Sequence, residues 1–368
     1  MKALCPREAL LSGCQLASVA VPSRDVKPIL RNLKMIASLD GCTLLATDLE
    51  LGVRMAVRSM KVDVAGEALL PAARLVAILR EATDDELTIE ANPDGSHVRG
   101  AAAEFDLPGE NPAEFPDIPT FTADKFHEVT AGTLREMIRR TVFAADTKDS
   151  PRYAMKGVLW EFDGSQARLI ATDGKRLAVA SGAATDQGGG DTKGQSPIVP
   201  TKAMSLLERL LQEDEEQVRI CLRPNEALFH TERATIYTRL VEGRYPNYRE
   251  VFPKKQTTKV PLSATAFLSA VRQAAIMTDE ESKRVKFEFS KQKLTLLASG
   301  AETGRSKVEL PIEYDGKELK ISFDPQLVTE MLKVLSADAP LTLEVVDGNS
   351  PALFRSGPDY SYVVMPLT

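Results

Sequence analysis

The chain repeats itself at the scale of a domain. Leu44-Leu-Ala-Thr-Asp-Leu-Glu-Leu-Gly-Val53 returns as Leu169-Ile-Ala-Thr-Asp-Gly-Lys-Arg-Leu-Ala-Val179 and, more weakly, as Leu294-Thr-Leu-Leu-Ala-Ser-Gly-Ala-Glu302. Asp48 and Asp173 stand 125 positions apart, and Ser299 follows after another 126. Solenoid repeats run to about 20–50 residues, so this period describes whole folding units. Other features keep the rhythm. An apolar stretch runs into Pro71, Pro200 or Pro325 and then into leucine-type residues at three- and four-residue spacing. That pattern predicts a strand followed by a helix with one buried face, its proline placed where a missing N–H costs little.

Each unit also carries an earlier amphipathic helix, expected over Arg7–Ala17, Thr133–Ala144 and Thr265–Met277. Strands are expected at Val158–Phe162, Arg168–Ala171, Arg219–Leu222, Ala234–Tyr237, Lys286–Phe289 and Leu341–Val346. Asp163-Gly164 and Asp347-Gly348 mark turns between them. The sum is an α+β chain of three repeated units, 1–127, 128–255 and 256–368, each with two helices and antiparallel sheets. Gly182–Ser196, rich in Gly, Asp, Thr and Gln, reads as an exposed flexible loop.

Several function classes fall away. Gly174-Lys175-Arg176 suggests a phosphate loop, but such a loop needs a glycine five positions earlier and a Ser or Thr after the lysine. Leu169 and Arg176 stand there instead. Cys5, Cys14, Cys42 and Cys221 lack C-x-x-C spacing and read as free thiols of a reducing compartment. His97, His127 and His230 are too scattered to suggest a metal cluster, and no cofactor is expected. Asp84-Asp85 and Glu213–Glu216 read as solvated turns rather than acid/base or metal groups, so no enzyme is expected. No apolar run reaches the roughly 18 residues of a membrane span, which points to a cytoplasmic protein without a membrane partner. The net charge of −6 argues against general adhesion to nucleic acid, though not against a local basic surface.

Four segments, in order, carry a resemblance: Arg152-Tyr-Ala-Met-Lys-Gly157, Ala171-Thr-Asp-Gly-Lys-Arg-Leu-Ala178, Glu242-Gly-Arg-Tyr-Pro-Asn-Tyr-Arg-Glu-Val-Phe-Pro253 and Tyr362-Val-Val-Met-Pro-Leu-Thr368. With the three repeats, they make the whole chain resemble the bacterial DNA sliding-clamp family, the β subunits of DNA polymerase III. The resemblance implies a head-to-tail homodimer that closes as a ring around duplex DNA, with helices lining the hole. It implies partners in the polymerase III catalytic subunit, the clamp loader, and other repair and replication proteins carrying clamp-binding motifs. A sliding ring needs phosphate attraction without base readout, and 6% aromatic residues offer few stacking platforms.

Helical patterning puts Lys202, Ser205 and Arg209 on one face, with Met204, Leu207, Leu210 and Leu211 on the other. Lys202 and Arg209 are therefore candidate DNA contacts. Arg135 and Arg139 share a face of another helix, and Arg74, Arg80, Arg272 and Lys333 add positive charge to the rest. By position in the family pattern, Arg24, Lys148 and Arg152 are further candidates, with Asp149 opposing them. The resemblance also implies a hydrophobic site for partner peptides at Met155, Thr172, Gly174, Lys175, Arg176, Leu177, Pro246, Val251, Ser350, Val363, Met365, Pro366 and Leu367. Glu250 departs from many relatives at its rim. For ring closure, Phe105 and Leu107 match interface residues of the first domain, and Ile276 and Met277 those of the third. Acidic residues that accompany this interface in some relatives are sparse near Gly300–Lys307, where Arg305 and Lys307 stand instead. A peptide-binding scaffold that does not encircle DNA is the alternative.

Overall fold

The computed structural model describes all residues except 24–26, 93, 148–152, 193, 254–257, 280–282, 301 and 368. Packing divides the chain into two compact units. The first holds Met1–Arg135, Ala184–Gly190 and Lys202–Leu240; the second holds Glu136–Ala183, Asp191–Thr201 and Val241–Thr368. The boundary expected at 127 falls inside the strand Phe126–Thr130, and that at 255 lies outside the described residues.

Sheets explain why these compact units straddle the repeats. In the first unit, a nine-stranded sheet joins Leu51–Val57 of the first repeat to Ala234–Arg239 of the second, antiparallel, from Ala234 opposite Met55 to Thr238 opposite Leu51. In the second unit, an eight-stranded sheet joins Arg176–Ala183 to Tyr360–Val364 in the same manner. A five-stranded sheet completes the first unit and a four-stranded sheet the second. Each ladder carries backbone hydrogen bonds straight across a repeat boundary, so packing follows the ladder and not the sequence period.

Among the described residues, six α-helices follow strand ends: α1 (Arg7–Ala17), α2 (Ala72–Glu81), α3 (Ala131–Arg139), α4 (Thr201–Leu210), α5 (Ala264–Ala275) and α6 (Pro325–Lys333). Pro71 and Pro200 stand just before α2 and α4, and Pro325 opens α6, where Asp324 accepts from Gln326 N at 2.9 Å. Their buried faces are the periodic ones: Leu75 and Leu79 in α2, Met204, Leu207 and Leu210 in α4, Val328, Met331 and Leu332 in α6. Helix α3 stops earlier than its pattern suggests. Thr141 Oγ1 donates to Met137 O at 2.8 Å, and Val142–Ala144 forms a separate 3-10 turn.

Gly182–Ser196 is largely exposed, as its composition suggests, but it is not an irregular loop throughout. Thr185–Gln187 adds an edge strand to Phe126–Thr130. Thr192 is buried and its Oγ1 accepts from Phe162 N at 2.9 Å, while Asp191 Oδ1 accepts from Gly164 N at 2.9 Å. One of its glycines, Gly189, serves close packing. Gly190 O lies 2.9 Å from the buried His127 Nε2, and a side chain on Gly189 would collide with the same ring. The acidic runs are likewise anchors at turns: Asp84 accepts from Ala101 N at 3.0 Å, Asp214 pairs with Arg135, and Glu216 accepts from Glu232 N at 2.6 Å.

Candidate functional site

Two side chains build the turn at Gly174. Thr172 Oγ1 donates to Arg176 O at 2.6 Å and accepts from Gly174 N at 3.1 Å, while Asp173 Oδ1 accepts from Lys175 N at 2.9 Å and Arg176 N at 3.1 Å. The first repeat builds the same turn. Thr47 Oγ1 donates to Leu51 O and accepts from Leu49 N, both at 2.9 Å, and Asp48 Oδ1 accepts from Glu50 N at 3.0 Å and Leu51 N at 2.7 Å. The repeated Ala-Thr-Asp is thus a turn signature. The residue that follows it is left-handed in both copies, φ 78° at Leu49 and 87° at Gly174. Glycine reaches that region without strain and leaves bare backbone there.

That bare backbone borders a cavity of about 550 Å³. Leu177 and Val363 form its floor as opposite residues of two paired strands, both almost fully buried in one apolar cluster. Met155, from the 3-10 turn Tyr153–Lys156, forms one wall, and Val346, Ser350, Pro351 and Met365 form another. The segment Pro246–Pro253 closes a third side. It is held from behind: Tyr245 Oη donates to Ile170 O at 3.2 Å and Tyr248 Oη to Glu161 Oε2 at 2.9 Å, with both rings in the cluster. Pro246, Val251 and Phe252 then face the opening beside Asn247 and Glu250. Apolar walls with a few polar groups suit a peptide's apolar side chains, and methionine adapts to more than one shape.

Ten of the residues expected at a peptide site line this cavity: Met155, Thr172, Gly174, Arg176, Leu177, Pro246, Val251, Ser350, Val363 and Met365. Lys175, Pro366 and Leu367 do not. Met365 N donates to Lys175 O at 2.9 Å, and Leu367 N donates to Ser322 O at 2.8 Å, which leads the tail along the strand Leu319–Phe323 and out of the wall. The residues missed, Asn247, Tyr248, Phe252 and Pro253, lie inside the Glu242–Pro253 segment already singled out; Val346 and Pro351 flank Ser350.

Arg176 does not offer its charge to a ligand. Its Nε donates to Asp173 Oδ2 at 3.1 Å, one terminal nitrogen pairs with Glu330, and the other donates to Phe143 O at 2.7 Å. The guanidinium also sits 5.4 Å from the centre of the Phe143 ring. Burial opposes its charge, but Tyr362, Glu330 and Asp173 together hold its pKa above the ordinary value. Arg176 anchors the turn to α6, and Lys175 is the exposed cation of the trio.

The candidate DNA contacts divide. Arg24, Lys148 and Arg152 lie outside the described residues. Lys202 is paired with Asp48 Oδ2 at 2.6 Å, whereas Arg209 is exposed in the last turn of α4. Arg135 turns onto Asp214 and the carbonyl of Leu211, and Arg139 pairs with Glu136 at 2.7 Å. Arg80, Arg272 and Lys333 stand exposed in the last turns of α2, α5 and α6, and Arg74 is exposed in α2. A cation in a last turn also complements the helix dipole. Of the expected interface residues, Leu107 is buried, Phe105 and Met277 are half-buried, and Ile276 is 70% exposed. Among the described residues, no helix is long and apolar enough to cross a membrane.

Three domain models of one family tile the sequence: DNA polymerase III beta subunit, N-terminal domain over residues 1–119, central domain over 128–247 and C-terminal domain over 249–368. The chain belongs to that family. It is 27% identical over 364 residues to the beta sliding clamp of Haemophilus influenzae, covering 98% of each chain. It is 28% identical over 370 residues to that of Escherichia coli, covering all of both. The sliding clamp of Pseudomonas aeruginosa, solved bound to griselimycin, superposes with a TM-score of 0.92 at 29% identity over 100% of this chain and 99% of that one. The clamp of Bacillus subtilis does so with 0.91 at 25% identity, over 100% and 99%. Three clamp domains of mixed helix and antiparallel sheet make up the chain.

Proposed function

We infer that this chain is a processivity factor of DNA polymerase III. Two copies close head to tail around duplex DNA, slide without reading sequence, and tether the catalytic subunit of the polymerase. The same cavity holds the motifs of other repair and replication proteins, and a clamp loader opens the ring. The cavity at Gly174 carries this reading: it is apolar, open, and built where the second repeat departs from the first. A fully buried Leu or Phe anchor contributes about 1.5–3 kcal/mol, so a short motif with two anchors binds usefully and still exchanges. The protein supplies topology and attachment, acts in the cytoplasm, and performs no catalysis.

Cations on exposed helix faces suit such a ring. Arg209, with Arg74, Arg80, Arg272 and Lys333, meets phosphates without hydrogen bonds to base edges, so no sequence holds the protein in place. Arg24, Lys148 and Arg152 belong to the same set by their place in the family pattern. The domain limits 1–127, 128–255 and 256–368 are proposed with it.

The decisive experiment loads the protein on nicked circular DNA and then linearises it. Retention on the circle and loss from the linear form is the expected result. Equal retention on both, with partner peptide still bound, establishes the alternative, a scaffold that does not encircle DNA.

A further inference from the structure

The apolar cavity at Gly174 has two charged side chains among its described lining residues, Arg176 and Glu250. Arg176 is committed elsewhere, since Asp173, Glu330 and the carbonyl of Phe143 take its three nitrogens. Glu250 is exposed in the 3-10 turn Tyr248–Val251. Its Oε1 accepts from Asn247 Nδ2 at 2.7 Å, and among the described residues no group meets its Oε2. The lining therefore carries an uncompensated negative charge against apolar walls. The backbone beneath it is fixed: Glu250 N donates to Asn247 O at 3.2 Å, and Tyr248 is tied to Glu161. A charge on an anchored turn gives up less freedom on meeting a ligand than one on a loose segment.

Neighbouring cations do not neutralise it. Arg249 donates from a terminal nitrogen to Glu161 Oε2 at 2.7 Å, and its guanidinium lies 4.7 Å from the centre of the Tyr248 ring. With Arg168 and Arg244 it borders a separate polar cavity of about 660 Å³, which shares Pro246, Asn247 and Tyr248 with the apolar one. The segment Arg244–Val251 thus divides its charges, with its cations at the polar cavity and its carboxylate at the apolar one. Lys175 is exposed between two lining residues, Gly174 and Arg176, and no group among the described residues pairs with its ammonium. A free cation stands at the turn and a free anion on the side formed by Pro246–Pro253.

We propose that Glu250 makes this cavity selective for partner segments that carry a lysine or arginine beside their apolar anchors. The assignment rests on the reading of the cavity as a peptide site and adds the charge of the peptide to it. Attraction to Glu250 favours a basic neighbour, and repulsion from the same carboxylate disfavours an acidic one, so a single residue acts on both sides of the comparison. Low-dielectric walls strengthen both effects relative to open water. An exposed pair changes affinity by about two- to fivefold, and attraction with repulsion together separate basic from acidic peptides by about tenfold. Lys175 works in the opposite sense at the turn, so the preference belongs to the one flank of the peptide that passes Glu250.

The test uses the full chain and fluorescence anisotropy with short labelled peptides. They share a Leu and a Phe anchor in an uncharged background and differ in one residue, Lys or Glu, placed directly before or directly after the anchors. Wild type is expected to bind the Lys form about tenfold tighter at one of the two placements in about 50 mM salt, and by about threefold or less in about 500 mM. Glu250→Gln keeps an acceptor for Asn247 while removing the charge, and is expected to bring the two forms within about twofold of each other. Glu250→Lys reverses their order, whereas Lys175→Gln retains the preference for the Lys form at that placement. Equal affinity of the wild type for both forms at both placements, or a preference that survives Glu250→Gln, overturns the role of Glu250 and leaves the peptide site standing. Failure of the wild type to bind any of these peptides overturns the peptide-site reading and this proposal together.

Discussion

Lys202 Nζ lies 2.6 Å from Asp48 Oδ2, so the first-turn cation of α4 is tied to the turn signature of the first repeat. That pair ranks the DNA candidates. Removing one cation that meets a phosphate lowers the slope of log K against log salt by about 0.9, and Arg209→Ala is expected to show a change of that size. Lys202→Ala is expected to change the slope by less than half as much. Asp48→Asn, which keeps an oxygen for the turn and frees Lys202, steepens it. Salt titrations on duplex DNA measure all three, and equal changes for Arg209→Ala and Lys202→Ala would refute the ranking.

The cavity wall yields a prediction about peptides. Met155→Ala and Met365→Ala each remove an apolar wall and are expected to cost about 1–2 kcal/mol, close to a tenfold loss of affinity. Leu367→Ala, at a residue that follows Ser322 out of the wall, is expected to stay within about twofold of wild type. Fluorescence anisotropy with a labelled clamp-motif peptide reads the difference. A Leu367→Ala loss as large as that at Met365 would place the tail back in the site.

Arg176 is expected to matter to stability more than to ligand charge. Arg176→Met strands Glu330 and the carbonyl of Phe143 and is expected to cost about 3 kcal/mol in urea unfolding. Burial raises the Glu330 pKa, but hydrogen bonds from Arg176 and Gln326 outweigh it and hold the carboxyl below its ordinary 4.5. A lowered carboxyl contributes stability that is complete above the unfolded value and lost as pH falls through the folded one. Glu330→Gln should therefore flatten the stability curve below about pH 4.5. An unchanged acid limb would show that the pair contributes nothing.

The thiols are expected to be inert. Burial pushes Cys5 and Cys42 up to about 12, and Cys14 is raised further. The thiolate is the reactive form, so native protein at pH 8 should resist alkylation at these three positions until denaturant is added. Mass spectrometry after timed labelling checks this, and rapid native modification of Cys14 would contradict it.

Much of the architecture was legible because local chemistry decides it. Helix α1 occupies the expected Arg7–Ala17 since its apolar spacing and its entry from Pro6 agree. The end of α3 was not, because one hydroxyl, that of Thr141, diverts the backbone. The 182–196 segment is exposed as its glycines suggest, but the closeness of Gly189 to His127 was not legible, because it depends on a ring brought in by another strand. At the cavity, Gly174 and Pro246 were readable from the repeat and from resemblance, but the exit of the tail depends on one amide, Leu367 N, finding Ser322 O. Ladders between repeats had no signal at all. Which edges meet is decided by two distant strands together, and neither strand encodes its partner alone.

The two ladders already closed inside the chain also set what dilution does. Covalent connection holds those edges together at an effective concentration of about millimolar, whatever the protein concentration outside. Only an intermolecular joint obeys mass action. As the protein becomes scarce, a joint between two copies parts first, while the ladders of Leu51–Val57 and Arg176–Ala183 stay zipped.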